Sequence, residues 1–270
     1  MAKPLLRVRG VEARYGQFVA LHNISLIVPE GAAVALLGPN GVGKTTLLRT
    51  VSGMMQPTAG EITFEGERID GLPDYAIARR GLAHIPEGRG IFPGLTVRDN
   101  LRMARLASAN GEGNGLGRCF ELFPVLEQRL DQTAGTLSGG EQQMLSVARA
   151  VVTEPRLLML DELSLGLAPR LVTELMNTVA RIREQGTAIL LVEQYVRHAL
   201  RLADIIVILH KGKVLFIGEP GELEREEQLV QAYLGQSGTG SLALTSEEAP
   251  EPKRRRKRRP EPKRRRKRKA

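Results

Sequence analysis

Nine residues, "GPNGVGKTT" from Gly38 to Thr46, constrain this chain more than any other stretch. They follow an apolar run, "AVALLG" (33–38), and open into "GKTTLLRTVSGM", so the loop joins a buried strand to a helix. The pattern G-x-x-x-x-G-K-[ST] lets successive backbone N–H groups and a helix N-terminus face phosphate oxygens. On that reading Gly38, Pro39, Asn40, Gly41, Val42, Gly43 and Thr46 are candidate nucleotide contacts. Lys44 would reach the β- and γ-phosphates of ATP, and the Thr45 hydroxyl would ligate Mg2+. A glycine-rich turn can precede a helix without binding anything, but the strand–loop–helix order argues for the phosphate reading.

The surrounding pattern alternates strands with helices. Two β-like stretches open the chain, "LLRVRGVEARY" and "ALHNISLIV". After the loop helix come a strand at "GEITFEG", a short helix near "DYAIARR" and a strand at "GLAHIP". From about 95 to 134 the spacing turns helical, broken by a loop, "SANGEGNGLG". Next come a helix over 139–153, a strand "RLLMLDE", a helix over 169–184, a strand "TAILLVEQ" and a helix near 196–203. Strands "DIIVILH" and "KVLFIG" and a closing helix near 226–234 complete this part. Such alternation predicts an α/β fold with a mostly parallel sheet and a helical insertion.

Two further stretches carry chemistry. "LLMLDE" ends a buried strand on Asp161, suited to holding Mg2+, and Glu162, suited to polarising an attacking water. Strands often end on carboxylates that do nothing chemical, yet this pair follows Lys44 by 117 residues and lies beyond the helical insertion. Between them stands "LSGGEQQ", where Ser138 and Glu141 have the spacing of a capping box. Gly139 and Gly140 each cost a helix about 1 kcal/mol relative to Ala, so a close approach to that backbone would explain them. A bare helix N-terminus there is a phosphate clamp.

Composition excludes several alternatives. The net charge of +9 comes from one segment, because 14 Lys or Arg against two Glu lie from Pro250 onward. Residues 1–249 hold 25 basic and 28 acidic side chains, so the high isoelectric point is no sign of a nucleic-acid-binding domain. No apolar run nears the roughly 18 residues of a membrane span, and "MAKPLLRVRG" lacks the apolar core of a signal peptide. The single cysteine, Cys119, rules out an intramolecular disulfide and suits a reducing cytoplasm. The four histidines show no zinc-like spacing.

Taken together, the loop, "LSGGE", "LLMLDE" and the following "SLGLAP" (164–169) stand in one order that resembles an ABC-type ATPase. The resemblance covers residues 5 to about 235. It implies an ATPase domain over 1–235, with an N-terminal antiparallel β subdomain and a helical insertion at about 88–137. It also implies head-to-tail pairing, with ATP held between the Lys44 loop of one subunit and Ser138, Gly139, Gly140 and Glu141 of another. Tyr15, in "RYGQ", falls where the family stacks an aromatic ring on adenine.

Two positions depart from the usual family residues. Glu87 stands where Gln is common and would ligate Mg2+ more strongly than an amide. Gln194, closing "AILLVEQ", stands where a His usually faces the γ-phosphate; it can donate an amide N–H but does not titrate near neutral pH. Glu193 has no role that the sequence assigns. "PEGRGIFPGLTV", "LSGGEQQML", "DELSLGLAP" and "LLVEQ" together resemble the LivF-type ATPases of branched-chain amino acid importers. A neighbouring branch serves urea and short amides, with Gln commoner at position 87.

That resemblance implies partners: a second ATPase subunit, the same chain or a paralogue, and two transmembrane permease subunits supplied by a solute-binding protein. The chain would then lie on the cytoplasmic face of a bacterial inner membrane, with residues 87–107 near the permease. The tail, 236–270, holds "PEPKRRRKRR" and "PEPKRRRKRK" and is expected to be disordered. Anionic lipid is a candidate partner for it, and nucleic acid a weaker one. A soluble ABC ATPase acting on nucleic acid or the ribosome is the rival reading. The roughly 90 residues between loop and signature leave no room for the long coiled coils of repair-type relatives.

Overall fold

The computed structural model describes residues 3–88, 90–107, 115–193 and 196–225. Gln194, the helix read near 226–234 and the basic tail lie outside them. Along the chain run β1 (Pro4–Tyr15), β2 (Phe18–Pro29), β3 (Ala33–Leu37), α1 (Lys44–Val51), β4 (Ala59–Phe64) and β5 (Glu67–Arg68). Then come α2 (Asp74–Arg79), β6 (Leu82–Ile85), α3 (Val97–Ala107), α4 (Gly115–Leu122) and α5 (Pro124–Glu127). A single 3-10 turn (Ala134–Thr136) leads into α6 (Gly139–Val151). The rest is β7 (Leu157–Asp161), α7 (Pro169–Glu184), β8 (Ala188–Val192), α8 (Val196–Leu202), β9 (Ile205–His210), β10 (Lys213–Gly218) and α9 (Pro220–Arg225).

The strands form two sheets. β1 and β2 make a long antiparallel hairpin, turning between the paired residues Tyr15 and Phe18, and β4 and β5 extend it in the order β2-β1-β4-β5. The second sheet runs β10-β9-β3-β8-β7-β6, parallel throughout except for the antiparallel edge strand β10. β3, β7 and β8 are buried along their whole length, as central parallel strands covered on both faces must be. Alternate side chains therefore feed two cores. Leu158, Leu160, Ile189 and Leu191 pack with α6 and α7, whereas Leu157, Met159, Leu190 and Val192 pack with α1 and the antiparallel sheet.

Several sequence expectations shift slightly. The helical stretch before the signature breaks into α3, α4 and α5, and α4 starts at Gly115, inside the segment read as loop. A Cβ on Gly115 would lie 2.3 Å from the Val152 carbonyl oxygen, so close packing onto the end of α6 selects glycine there. Leu163, which follows Glu162, is buried in the α6–α7 core.

Candidate functional site

The phosphate-loop segment spans the end of β3 and the start of α1, and both sheets grip it. A Cβ on Gly38 would sit 2.4 Å from the Leu209 carbonyl of β9, and one on Gly43 would sit 2.9 Å from the Ala20 carbonyl of β2. Gly43 is the residue before α1 and holds φ at 107°, a conformation open to glycine at little cost. The turn between β9 and β10 closes the far side: the Gly212 N–H donates to the Val42 carbonyl, and its own carbonyl accepts from the His22 N–H.

Lys44 is only 4% exposed. Its ammonium donates to the Gly38 carbonyl at 2.9 Å and the Pro39 carbonyl at 3.0 Å, and it lies 3.8 Å from Glu162 Oε1. Burial pushes the Lys44 pKa below the ordinary value, with the Glu162 and Asp161 carboxylates pulling it back up. A cavity of about 400 Å3 opens beside these groups, and Tyr15, Phe18, Thr45, Glu87 and Glu162 reach it from separate elements.

Asp161 ends β7 and is 1% exposed, yet neither carboxylate oxygen has a hydrogen-bond partner. Burial raises its pKa above the usual carboxylate range, the Thr45 hydroxyl opposes that, and the Glu162 and Glu87 charges add to the rise. An orphaned buried carboxylate beside a hydroxyl is a donor set suited to a hard divalent cation such as Mg2+, which takes one or two protein oxygens and completes its shell with phosphate and water. Glu162 follows with φ at 50°, left-handed for a residue with a Cβ. Its N–H donates to the Val192 carbonyl of β8. Glu87 is exposed at the cavity's edge, two residues beyond the end of β6.

The signature segment makes its own structure. Ser138 caps α6: its hydroxyl accepts from the Glu141 N–H, and the Glu141 carboxylate accepts from the Ser138 N–H at 2.9 Å. Those Ser138 bonds and nearby Arg129 hold the Glu141 carboxyl below its ordinary pKa. None of Ser138, Gly139, Gly140 and Glu141 lines the Lys44 cavity. The close approach that Gly140 permits comes from this same chain, because a Cβ there would meet Leu171 Cδ1 of α7 at 2.7 Å. At the other end of α6, the Arg149 guanidinium stacks on Phe92, whose backbone N–H and carbonyl are both bound by the buried Asn100 side chain.

The structure thus brings Tyr15, Asn40, Gly41, Gly43, Lys44, Thr45, Thr46, Glu87 and Glu162 onto one cavity with Asp161 buried beside Thr45, while Gly38, Pro39, Val42 and the signature segment do not line it. Two participants were not singled out from sequence. Phe18 faces the cavity across the hairpin turn from Tyr15, and the aromatic pair flanking "GQ" was the available signal. Ser164, in the loop before α7, is buried against Glu193, and no local pattern announces that contact.

Comparisons with known proteins show what the chain as a whole is similar to. The family profile described as ABC transporter matches residues 21–164. The chain is 42% identical, over 226 residues, to the high-affinity branched-chain amino acid transport ATP-binding protein BraG of Pseudomonas aeruginosa, covering 83% of this chain and 97% of that one. It is 33% identical to a probable branched-chain amino acid transport ATP-binding protein LivF of Archaeoglobus fulgidus, covering 86% and 99%. A solved ATP-binding subunit of an ABC transporter superposes with a TM-score of 0.75 at 32% identity, covering 86% of this chain and 97% of that one.

Proposed function

Because this chain belongs to the ABC transporter ATP-binding family, and so hydrolyses ATP, we propose that it drives uptake of branched-chain amino acids through separate permease subunits. The observation that carries the catalytic half is that Lys44, Thr45 and Glu162 line one cavity, with the Asp161 carboxylate buried beside Thr45. The likeness to BraG, over nearly the whole of that protein, supports the amino-acid half.

The residues divide the chemistry by their physical character. Lys44 exchanges its two carbonyl partners for the β- and γ-phosphate oxygens, a stronger charge-assisted pairing. Thr45 and Asp161 would hold Mg2+, with Glu87 beside them, and the ion when bound would neutralise phosphate charge. Glu162 accepts the proton of the attacking water, its carboxylate oriented by the left-handed turn. Tyr15, with Phe18 facing it across the turn, offers a ring to the adenine. Gln194 donates an amide N–H to the γ-phosphate from the position next to Glu193.

The signature helix completes a different nucleotide site, that of a second ATPase subunit. Its capped N-terminus, which does not line the Lys44 cavity of its own chain, supports that reading. Among the described residues no helix is long and apolar enough to cross a membrane, which accords with permease subunits as separate chains. Attachment to the inner face of the bacterial plasma membrane follows from docking on those subunits, with the basic tail adding attraction to anionic lipid.

Reconstitution tests the proposal. The chain would be assembled in proteoliposomes with the permease, second ATPase and binding-protein subunits of a branched-chain amino acid importer from the same organism, and labelled leucine, urea and a short amide offered in turn. Leucine uptake that requires ATP and is abolished by Lys44→Ala is the expected result. Uptake of urea or the amide alone would move the chain to the neighbouring branch, and ATP-independent uptake would overturn the proposal.

A further inference from the structure

Glu193 follows β8 and is 1% exposed, a costly place for a carboxylate unless hydrogen bonds compensate. It receives two from one residue. The Ser164 N–H donates to Oε1 at 3.2 Å, and the Ser164 hydroxyl donates to Oε2 at 2.5 Å. Ser164 is itself buried, two residues beyond Glu162. One step back along β8, the Val192 carbonyl accepts from the Glu162 N–H at 3.0 Å. Consecutive positions at the end of β8 therefore hold positions 162 and 164 of the turn that leaves β7.

The turn needs holding. Glu162 has φ at 50°, and an acidic side chain stays in that region only where its surroundings fix it. Within the turn the Leu165 N–H donates to the Glu162 carbonyl at 3.2 Å and the Leu167 N–H to the Ser164 carbonyl at 3.2 Å, both long bonds. The anchor to Glu193 is a double one, because each carboxylate oxygen takes a bond from the same residue and the hydroxyl bond is the short one. Glu193 does not line the Lys44 cavity. The Ser164 contact gives it a route to the reaction through the turn.

We propose that Glu193 is a positioning residue for ATP hydrolysis, latching the Ser164 turn to β8 so that the Glu162 carboxylate stays aimed into the Lys44 cavity. This rests on Glu162 being the proton acceptor. A Glu162→Gln variant measured in parallel separates the two ideas.

The experiment compares Glu193→Ala, Glu193→Gln, Ser164→Ala and the double alanine variant of the full-length chain, by steady-state ATP hydrolysis and by amide hydrogen exchange. Glu193→Ala is expected to lower kcat about 10- to 100-fold while KM for ATP moves less than about threefold. Ser164→Ala should lower kcat less, and the double variant should be no worse than Glu193→Ala, because both changes remove the same contact. Glu193→Gln, which keeps one acceptor oxygen, should recover part of the rate. Exchange at residues 164–167 should quicken in Glu193→Ala and stay unchanged in α6. Normal kcat with slow exchange at those amides, multiplicative losses in the double variant, or an effect confined to KM would each overturn the latch. Should Glu193→Ala fail to fold, Ser164→Ala decides alone: wild-type kcat and exchange there refute the proposal. Full hydrolysis by Glu162→Gln would instead remove the assignment of Glu162 and leave the exchange result standing.

Discussion

The Arg149 guanidinium carbon lies 4.6 Å from the centre of the Phe92 ring, joining the last turn of α6 to the loop that starts at Glu87. Asn100, fully buried on α3, holds that loop from below with bonds to the Phe92 N–H, the Phe92 carbonyl and the Thr96 carbonyl. The cavity edge and the signature helix are thereby connected within one chain.

The two contacts should differ in weight. Phe92→Leu removes a partly exposed cation–π contact and is expected to cost about 1 kcal/mol in urea-denaturation stability. Asn100→Ala strands the Phe92 N–H and takes one of two bonds from each of the Phe92 and Thr96 carbonyls, and should cost about 2–3 kcal/mol. Equal losses in the two variants would show that Asn100 does not organise the loop.

Glu162→Gln keeps the shape of the site and removes the proton acceptor. The expected outcome is a loss of about 100-fold or more in hydrolysis rate, with ATP binding retained or tightened because Lys44 loses its neighbouring carboxylate. Rapid-quench turnover alongside binding of a fluorescent ATP analogue measures both. A variant that keeps more than half the wild-type rate would exclude Glu162 as the base.

Glycines of the two motifs should respond differently to a single methyl group. In Gly38→Ala the added carbon meets a backbone carbonyl that cannot give way, so nucleotide binding and stability should both fall, the latter by about 2 kcal/mol or more. In Gly140→Ala the obstacle is the tip of the Leu171 side chain, which can turn aside. The gain in helix propensity, about 1 kcal/mol, offsets the crowding and leaves stability close to wild type. Gly140→Val should destabilise by about 1–3 kcal/mol, and Leu171→Ala should relieve it. Thermal melts of the single and paired variants check the order.

His84, packed at β6 with Nδ1 3.0 Å from the Ser52 hydroxyl, has its pKa lowered to about 4 by burial, with the Arg49 charge adding to the shift. Unfolded, it titrates near 6.5. Below that pH the unfolded chain binds a proton that the folded chain refuses, so the contribution is complete above pH 6.5 and is lost as pH falls toward 4. The loss across that window should reach about 2–3 kcal/mol. Melting temperatures at steps from pH 7 to pH 4.5 should fall more steeply for the wild type than for His84→Asn. Parallel curves would remove His84 as the source.

How far the sequence carried depended on the range of each signal. The strand–loop–helix around Lys44, the Ser138–Glu141 cap and the apolar run ending in Asp161 are local patterns, and each was legible residue by residue. The resemblance supplied the order that joins them. Gly140 was legible as a place of close approach, but the neighbour that needs the space is Leu171, 31 positions on in the sequence and invisible to local pattern. Glu193 could not be read at all, because its meaning is a contact with Ser164 made only once β7 and β8 lie side by side. α4 was shortened in the sequence reading for a related reason, as Gly115 looks like loop until the end of α6 is packed against it.

The neighbours of β3 set a timetable for synthesis. β3 carries the Lys44 loop, yet the strands hydrogen-bonded to it on either side are β8 and β9, which leave the ribosome more than 150 residues later. The turn that closes the loop from above waits for Gly212. β1, β2 and β4, by contrast, find their partners within the first 64 residues. During translation the antiparallel sheet can therefore form early, while "GPNGVGKTT" must wait as an exposed strand end until most of the chain exists. The phosphate loop of a nascent chain thus gains its support from the β9–β10 turn only after Gly212 has been made.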